Sequence, residues 1–221
     1  MYSAYFIAAA HHLTGRSILP EIGERKGCTE EELARIEIRM GSVIPAELRA
    51  YYSELGSWFS FTPDIDQTGF RVAPLLDLES QQGFAQTIVE EAEHEIQSER
   101  PRVEPHLLRA EAERRANWFP FYNIGGGGYL LCLDLARDPH PVCYHEAVYW
   151  RGLSPSSWTF ELAPSFTEFL QRWSRYCFSE PGSEITTFCM DRKGAFDWDS
   201  EHFNPKYDRG TTNAYPGAAG F

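Results

Sequence analysis

The side chains that could do acid–base chemistry are scattered along this chain. Histidine stands close to a carboxylate in sequence at several places, among them HE at 145–146 and DPH at 138–140, and such pairs are common general acids and bases. Because successive residues of a strand point to opposite faces, His145 and Glu146 cannot act together if Val142 to Trp150 is one regular strand. No HExxH or GxSxG motif occurs. We therefore predict a protein that is not an enzyme; the alternative left open is a site assembled from distant segments, with a buried histidine and a carboxylate partner in a pocket.

The cysteines and glycines do not form a metal or phosphate site. No CxxC pair and no zinc-type Cys/His spacing is present among the five cysteines, so we predict a reduced, cytoplasmic protein with no metal. Cys132 and Cys143 fall on apolar strands, where a free thiol behaves as a small hydrophobe. Gly125 to Gly128 lack the lysine and the following helix of a phosphate loop and indicate a tight turn between strands. No cofactor is predicted.

Composition limits the architecture and the partners. With 221 residues, of which 43% are hydrophobic and 14% aromatic, the chain can bury one sizeable core and is expected to form one domain. A formal charge of −12 argues against nucleic acid, which requires a concentrated cationic face. A basic protein partner fits this charge better, and the alternative is that the acidity serves only solubility. The apolar start, Met1 to Ala10, is too short to span a bilayer and is predicted to be a core segment.

Three amphipathic helices should cover the core. Thr29 and Glu32 have the spacing of a capping box, which predicts a helix to about Arg39. Pro45 suits a helix start, and the apolar spacing that follows continues until Gly56. The third helix, which contains Phe166 to Cys177, should lie across one face of a sheet. Its apolar positions are Phe166, Phe169, Leu170, Trp173, Tyr176 and Cys177.

The strand pattern predicts antiparallel pairs. We expect Ser57 to Pro63 and Phe70 to Leu78 to form a hairpin, and the aromatic and alternating runs from Trp118 to Trp150 to form a second antiparallel unit. Between them, Glu79 to Asn117 is charged and contains Pro101 and Pro105, so we expect two helices with a break. These elements define an α+β single domain with a mainly antiparallel β-sheet flanked by helices.

The order of these segments resembles the SUKH superfamily, which groups bacterial immunity proteins with a fungal cell-wall synthesis regulator of the Smi/Knr type. The resemblance implies a SUKH-like domain over residues 1–178, with a helical insertion at about 79–117 and a C-terminal extension at 179–221 that the family pattern does not cover. The matching segments are Ile44 to Trp58, Val72 to Leu78, Trp118 to Phe121, Gly125 to Leu135, Val142 to Trp150 and Ser165 to Trp173.

The resemblance also implies a non-enzymatic protein that binds and neutralises a cognate bacterial toxin, which could be a nuclease. A regulatory interaction scaffold of the fungal type is the alternative. An acidic inhibitor could mimic the substrate of a basic nuclease cleft, and a tryptophan in a charged rim is a common anchor. Trp58 could equally belong to the core, and the charge run at 90–95 could simply be a solvated helix face. The candidate contacts are Trp58, Asp64, Asp66, Glu90, Glu91, Glu93 and Glu95. No membrane contact is expected, and the oligomeric state is left open.

Overall fold

A four-stranded antiparallel sheet with six helices makes up the part of the chain described by the computed structural model. That part consists of residues 1–14, 27–59, 61, 72, 75–97, 104–124, 129–146, 159–174, 178 and 197–198. The predicted α+β class with a mainly antiparallel sheet is confirmed. The helices are α1 (Ser3–Thr14), α2 (Glu30–Met40), α3 (Ala46–Leu55), α4 (Leu75–Ile96), α5 (Pro105–Arg115) and α6 (Phe166–Ser174), and the strands are β1 (Trp118–Ile124), β2 (Tyr129–Asp134), β3 (Val142–Glu146) and β4 (Thr159–Ala163).

The ends of α2 show why this helix begins and ends where the sequence predicts. The Thr29 hydroxyl accepts from the Glu32 backbone N–H at 3.3 Å, and the Glu32 carboxylate accepts from the Thr29 backbone N–H at 2.8 Å. Two N–H groups that the helix leaves unpaired are thereby satisfied. At the other end Gly41 adopts a left-handed φ of 66°, which glycine tolerates without steric cost. The capping box predicted from the sequence is confirmed.

One predicted element is wrong. Leu75 to Leu78, assigned to a strand of the hairpin, form the first turn of α4. Ser57 and Trp58 lie in a turn, and Phe61 makes only an isolated bridge. A short apolar run does not distinguish a buried strand from a helix, and here the run continues into a 22-residue helix. The turn proposed around residues 64–69 lies outside the described residues.

The charged region between 79 and 117 contains two helices, α4 and α5, as predicted, and residues 98–103 between them lie outside the described residues. α4 and α5 are separate helices, and α4 contacts α2, α5 and β1. Glu104 precedes Pro105, which occupies the start of α5, where its missing N–H leaves no hydrogen bond unmade. This region thus packs against the sheet through α4.

The sheet has the order β1-β2-β3-β4, with every neighbouring pair antiparallel. Alternation along the strands separates two faces. One face joins the main core through residues such as Phe119, Leu131 and Tyr144. The opposite face carries a second buried cluster of Trp118, Leu130, Cys132 and Cys143.

The main core is rich in aromatic rings contributed by α1, α3 and α6. Phe6 lies 4.6 Å from Phe59 and Tyr51 lies 5.6 Å from Phe166, measured between ring centroids. The prediction that Met1 to Ala10 is a core segment is confirmed, because Tyr2, Phe6 and Ala9 are buried. Aromatic pairs of this kind stabilise a core beyond their buried area.

The described part of the C-terminal extension also belongs to this core. Trp198 is buried, and its ring centroid lies 6.1 Å from that of Trp173 and 6.3 Å from that of Phe169. Its indole N–H donates to the backbone carbonyl of Leu162 in β4 at 2.7 Å. Since β4 is at the edge of the described sheet, Trp198 covers a carbonyl on the last strand.

The start of the chain is held by one carboxylate of α3. Glu54 accepts from the Met1 ammonium at 2.6 Å and from the backbone N–H groups of Tyr2 and Ser3, each at 2.8 Å. Partial burial alone would raise the pKa of Glu54, but these bonds, together with one from the Ser3 hydroxyl, lower it to about 2. The ionised carboxylate therefore satisfies the first N–H groups of α1.

Candidate partner-binding surface

Trp58 is a surface residue. It lies in the turn that follows α3, and 63% of it is exposed. Gly56, with a φ of 84°, ends the helix just before this turn. Of the two positions that the sequence left open for Trp58, core or surface, the structure shows the surface. A large exposed aromatic side chain is available to a partner.

The acidic run of α4 is exposed where the structure describes it. Glu90 and Glu93 are both exposed and stand three residues apart in the helix, so their carboxylates lie on the same face. His94 is exposed beside them. Glu91 and Glu95 belong to the same helix, but their side chains lie outside the described residues. The structure therefore brings Glu90 and Glu93 together as an acidic face of α4.

The other two predicted contacts, Asp64 and Asp66, lie outside the described residues. The predicted set thus comes from three separate parts of the chain: the turn after α3, the segment between Phe61 and Val72, and the second half of α4. The predicted contacts of the first and third parts whose side chains the structure describes are all exposed. They are Trp58, Glu90 and Glu93.

Two exposed apolar residues were missed in the sequence. Ile38 is 80% exposed on α2, and Val43 is 72% exposed in the connection between α2 and α3. A signal for Ile38 was present, because it falls off the helix face defined by Leu33 and Ile36, both of which are buried. Val43 lies in a connection without periodicity, so the sequence gives no comparable signal for it.

A buried polar group lies on the second face of the sheet. His145 is 1% exposed, and neither ring nitrogen has a hydrogen-bond partner among the described residues. Its ring centroid lies 6.1 Å from that of Trp118. Burial lowers the pKa of His145 well below its usual range, and the nearby Arg115 guanidinium lowers it further. A neutral imidazole without a carboxylate contact in the described structure does not make the acid–base pair that an assembled catalytic site requires.

His140, which also lies close to a carboxylate in sequence, contacts a backbone group in the described structure. His140 Nδ1 lies 2.6 Å from the backbone carbonyl oxygen of Arg137. The imidazole therefore contacts the main chain of the turn between β2 and β3. This contact orients the ring.

Cys132 and Cys143 are opposite one another on β2 and β3 as free thiols. Burial raises the pKa of Cys132 well above its usual range, and the neighbouring Cys143 raises it further. Burial also raises the pKa of Cys143 to about 12. Since the thiolate is the reactive form, both thiols are poor nucleophiles and poor metal ligands. Within the described residues, no group of three His, Cys, Asp or Glu side chains could hold a metal ion.

The described helices include none that is both long and apolar enough to cross a membrane. α4, with 22 residues, is the longest of them and carries charged residues along its length.

The fold and its surface define an α+β protein built on an antiparallel sheet, with acidic side chains presented on a peripheral helix. The chain belongs to the SMI1 / KNR4 family (SUKH-1), whose model matches residues 27–172. The matched range includes β1 to β4 and most of α6 and ends before Trp198. Comparison with curated proteins and with solved structures gives no significant match.

Proposed function

We propose that the protein is a non-enzymatic immunity protein that works in the cytoplasm by binding and neutralising a cognate protein toxin. Membership of the SUKH-1 family carries this proposal, because bacterial members of the superfamily are typically immunity proteins. The toxin is a basic protein, with a nuclease as the best candidate, since a net charge of −12 complements a cationic cleft.

The candidate contacts have two different roles in this proposal. Glu90 and Glu93, with Glu91 and Glu95 of the same helix, provide the negative field that steers a basic partner. Trp58, at 63% exposure, supplies apolar contact area, which exposed carboxylates alone do not. Neutralisation then needs only stoichiometric occlusion of the toxin's active cleft. Asp64 and Asp66 are further candidate contacts.

A direct test uses the protein encoded beside this gene. If a long multidomain toxin gene lies there, its toxic domain should co-purify with the chain in a one-to-one complex and lose its activity on binding. Cells that express the toxic domain should survive only when the chain is present. Toxicity that persists at full expression of a folded chain would refute neutralisation.

The second candidate is a regulatory interaction scaffold of the fungal Smi/Knr type. The same family match favours it, and an isolated gene with no toxin beside it would favour it over immunity. A scaffold should bind a cellular partner without changing the growth of cells that carry a toxin.

A further inference from the structure

A cavity of about 310 Å³ lies between α2, α4 and the start of β1 and takes no part in the proposed function. The end of α2 contributes Met40, Gly41 and Ser42 to its wall, and α4 contributes Gln82, Gln86 and Val89. The rest of the wall is formed by residues 115–119, which lead from α5 into β1, and by Leu135 after β2. Its volume is at the lower end for small-molecule sites, which suits a ligand about the size of an amino acid.

The lining of this cavity differs in charge from the rest of the chain. No Asp or Glu is among its lining residues, and Arg115 is the one cation, although the whole chain carries a formal charge of −12. Ser42, Gln82, Gln86 and Asn117 add neutral hydrogen-bonding groups. An anion that carries further polar groups matches this lining better than a cation or an apolar molecule.

Arg115 lines the cavity and carries the positive charge that such an anion requires. It is only 5% exposed, so its charge acts where little water screens it. The pKa of His145 is lowered by burial first and by the charge of Arg115 second. A guanidinium has five N–H donors, and it can therefore keep contacts within the protein while offering others to a ligand. Two parallel N–H donors of arginine match the two oxygens of a carboxylate.

Trp118 provides an independent observation. It lines the cavity and is 7% exposed, and its indole N–H is buried with no hydrogen-bond partner within the described structure. A buried donor without an acceptor costs free energy, which an acceptor on a ligand would recover. The Arg114 guanidinium carbon lies 5.3 Å from the Trp118 ring centroid, which places a second positive charge beside this ring.

We propose that this cavity binds a small ligand that carries a carboxylate, of amino-acid or dicarboxylate size. Arg115 holds the carboxylate, and the amides of Gln82, Gln86 and Asn117 bind the remaining polar groups. Glu90 and Glu93 of the proposed partner surface are not among the lining residues, and the two proposals are tested with different ligands, so either can fail without the other.

The experiment titrates the full chain with succinate, N-acetylaspartate and N-acetylglutamate, by calorimetry and by two-dimensional NMR. The diamide of each acid is its matched probe, because it replaces both carboxylates by amides of the same shape. We expect saturable binding of at least one of the three acids, stronger than the binding of its own diamide, with shifts at Gln82, Gln86 and Asn117. Absence of saturable binding at millimolar concentrations would overturn the proposal, as would equal binding of acid and amide.

Variants locate the site. Gln86 is exposed at the cavity wall, so Gln86→Glu should keep the fold and weaken binding at least tenfold by repelling the carboxylate. Gln97→Glu makes the same charge change just beyond α4 and outside the cavity, and it should leave binding within a factor of two. Arg115→Lys keeps the charge and loses the bidentate geometry, so binding should also weaken. Equal effects of the two glutamine variants would contradict the placement of the site.

Discussion

The Glu47 carboxylate in α3 binds Thr167 at two points, accepting from its hydroxyl at 2.5 Å and from its backbone N–H at 3.3 Å. It also accepts from the backbone N–H of Phe166 at 3.0 Å. An acidic side chain of one helix therefore caps the start of another that lies 119 positions further along the chain. This contact joins α3 to α6 on the main-core side of the sheet and orients both.

Replacing Glu47 by Ala should lower the free energy of unfolding by about 1 to 3 kcal/mol, because the first N–H groups of α6 lose a charged acceptor. Urea unfolding followed by circular dichroism measures the change. Glu93→Ala, an exposed carboxylate, serves as the control and should stay within about 0.5 kcal/mol of wild type. Equal stability of the two variants would show that the cap contributes nothing.

Trp198 should be essential for stability although it lies beyond the family match. Trp198→Ala should cost about 3 to 5 kcal/mol, because it leaves a cavity beside Trp173 and removes the donor to the Leu162 carbonyl. Phe169→Ala, within the same cluster, should cost a similar amount.

Deletion of Thr211 to Phe221 is the matched control at the same end of the chain. It removes a Gly- and Ala-rich end that should bury little apolar surface, so the melting temperature should hardly change. A full-length Trp198→Ala variant as stable as wild type would contradict the docking of Trp198 in the core.

Glu54 should make stability depend on pH in the acid range. Its folded-state pKa is lowered from 4.5 to about 2, so its contribution is fully present above the unfolded value and is lost as the pH falls through the folded value. Glu54→Gln should therefore be less stable than wild type at pH 7, by about 1 to 3 kcal/mol. The difference should shrink between pH 4.5 and pH 2. A difference that stays constant over that range would show that the charge of Glu54 is unimportant.

The opposed thiols of Cys132 and Cys143 should be unreactive in the folded protein. Their raised pKa values leave almost no thiolate at pH 7. Iodoacetamide followed by peptide mapping should leave both unmodified in buffer and label both in urea. Cys28, which is half-buried, is the internal comparison and should react sooner. Rapid labelling of Cys143 without denaturant would contradict its burial.

Local signals explain what the sequence predicts well. The capping box of Thr29 and Glu32 and the apolar repeat of α6 each lie within a few turns of one helix, so neighbouring residues alone specify them. The alternation in β2 and β3 likewise shows which side chains face the main core.

What the sequence cannot show depends on distant contacts. Leu75 to Leu78 are helical because they open a long helix that packs on β1 and α5, and four apolar residues carry no period that separates helix from strand. No local sequence pattern predicts that Trp198 packs against α6.

The exposure of the candidate contact residues is predictable only where a helix gives a period. Periodicity indicates that Glu90 and Glu93 are exposed, whereas Trp58 is a single residue in a turn, and only packing decides its exposure.

The most direct test of toxin neutralisation through an acidic surface is the association rate measured by stopped flow at several salt concentrations. The variant changes Glu90, Glu91, Glu93 and Glu95 to Lys, and the partner is the toxic domain encoded beside the gene. Exposed charges act mainly through steering. We therefore expect association at least tenfold slower than wild type at low salt and a weaker dependence on salt, with the melting temperature nearly unchanged. Trp58→Ala should instead speed dissociation. An association rate and salt dependence equal to those of wild type would contradict the electrostatic account.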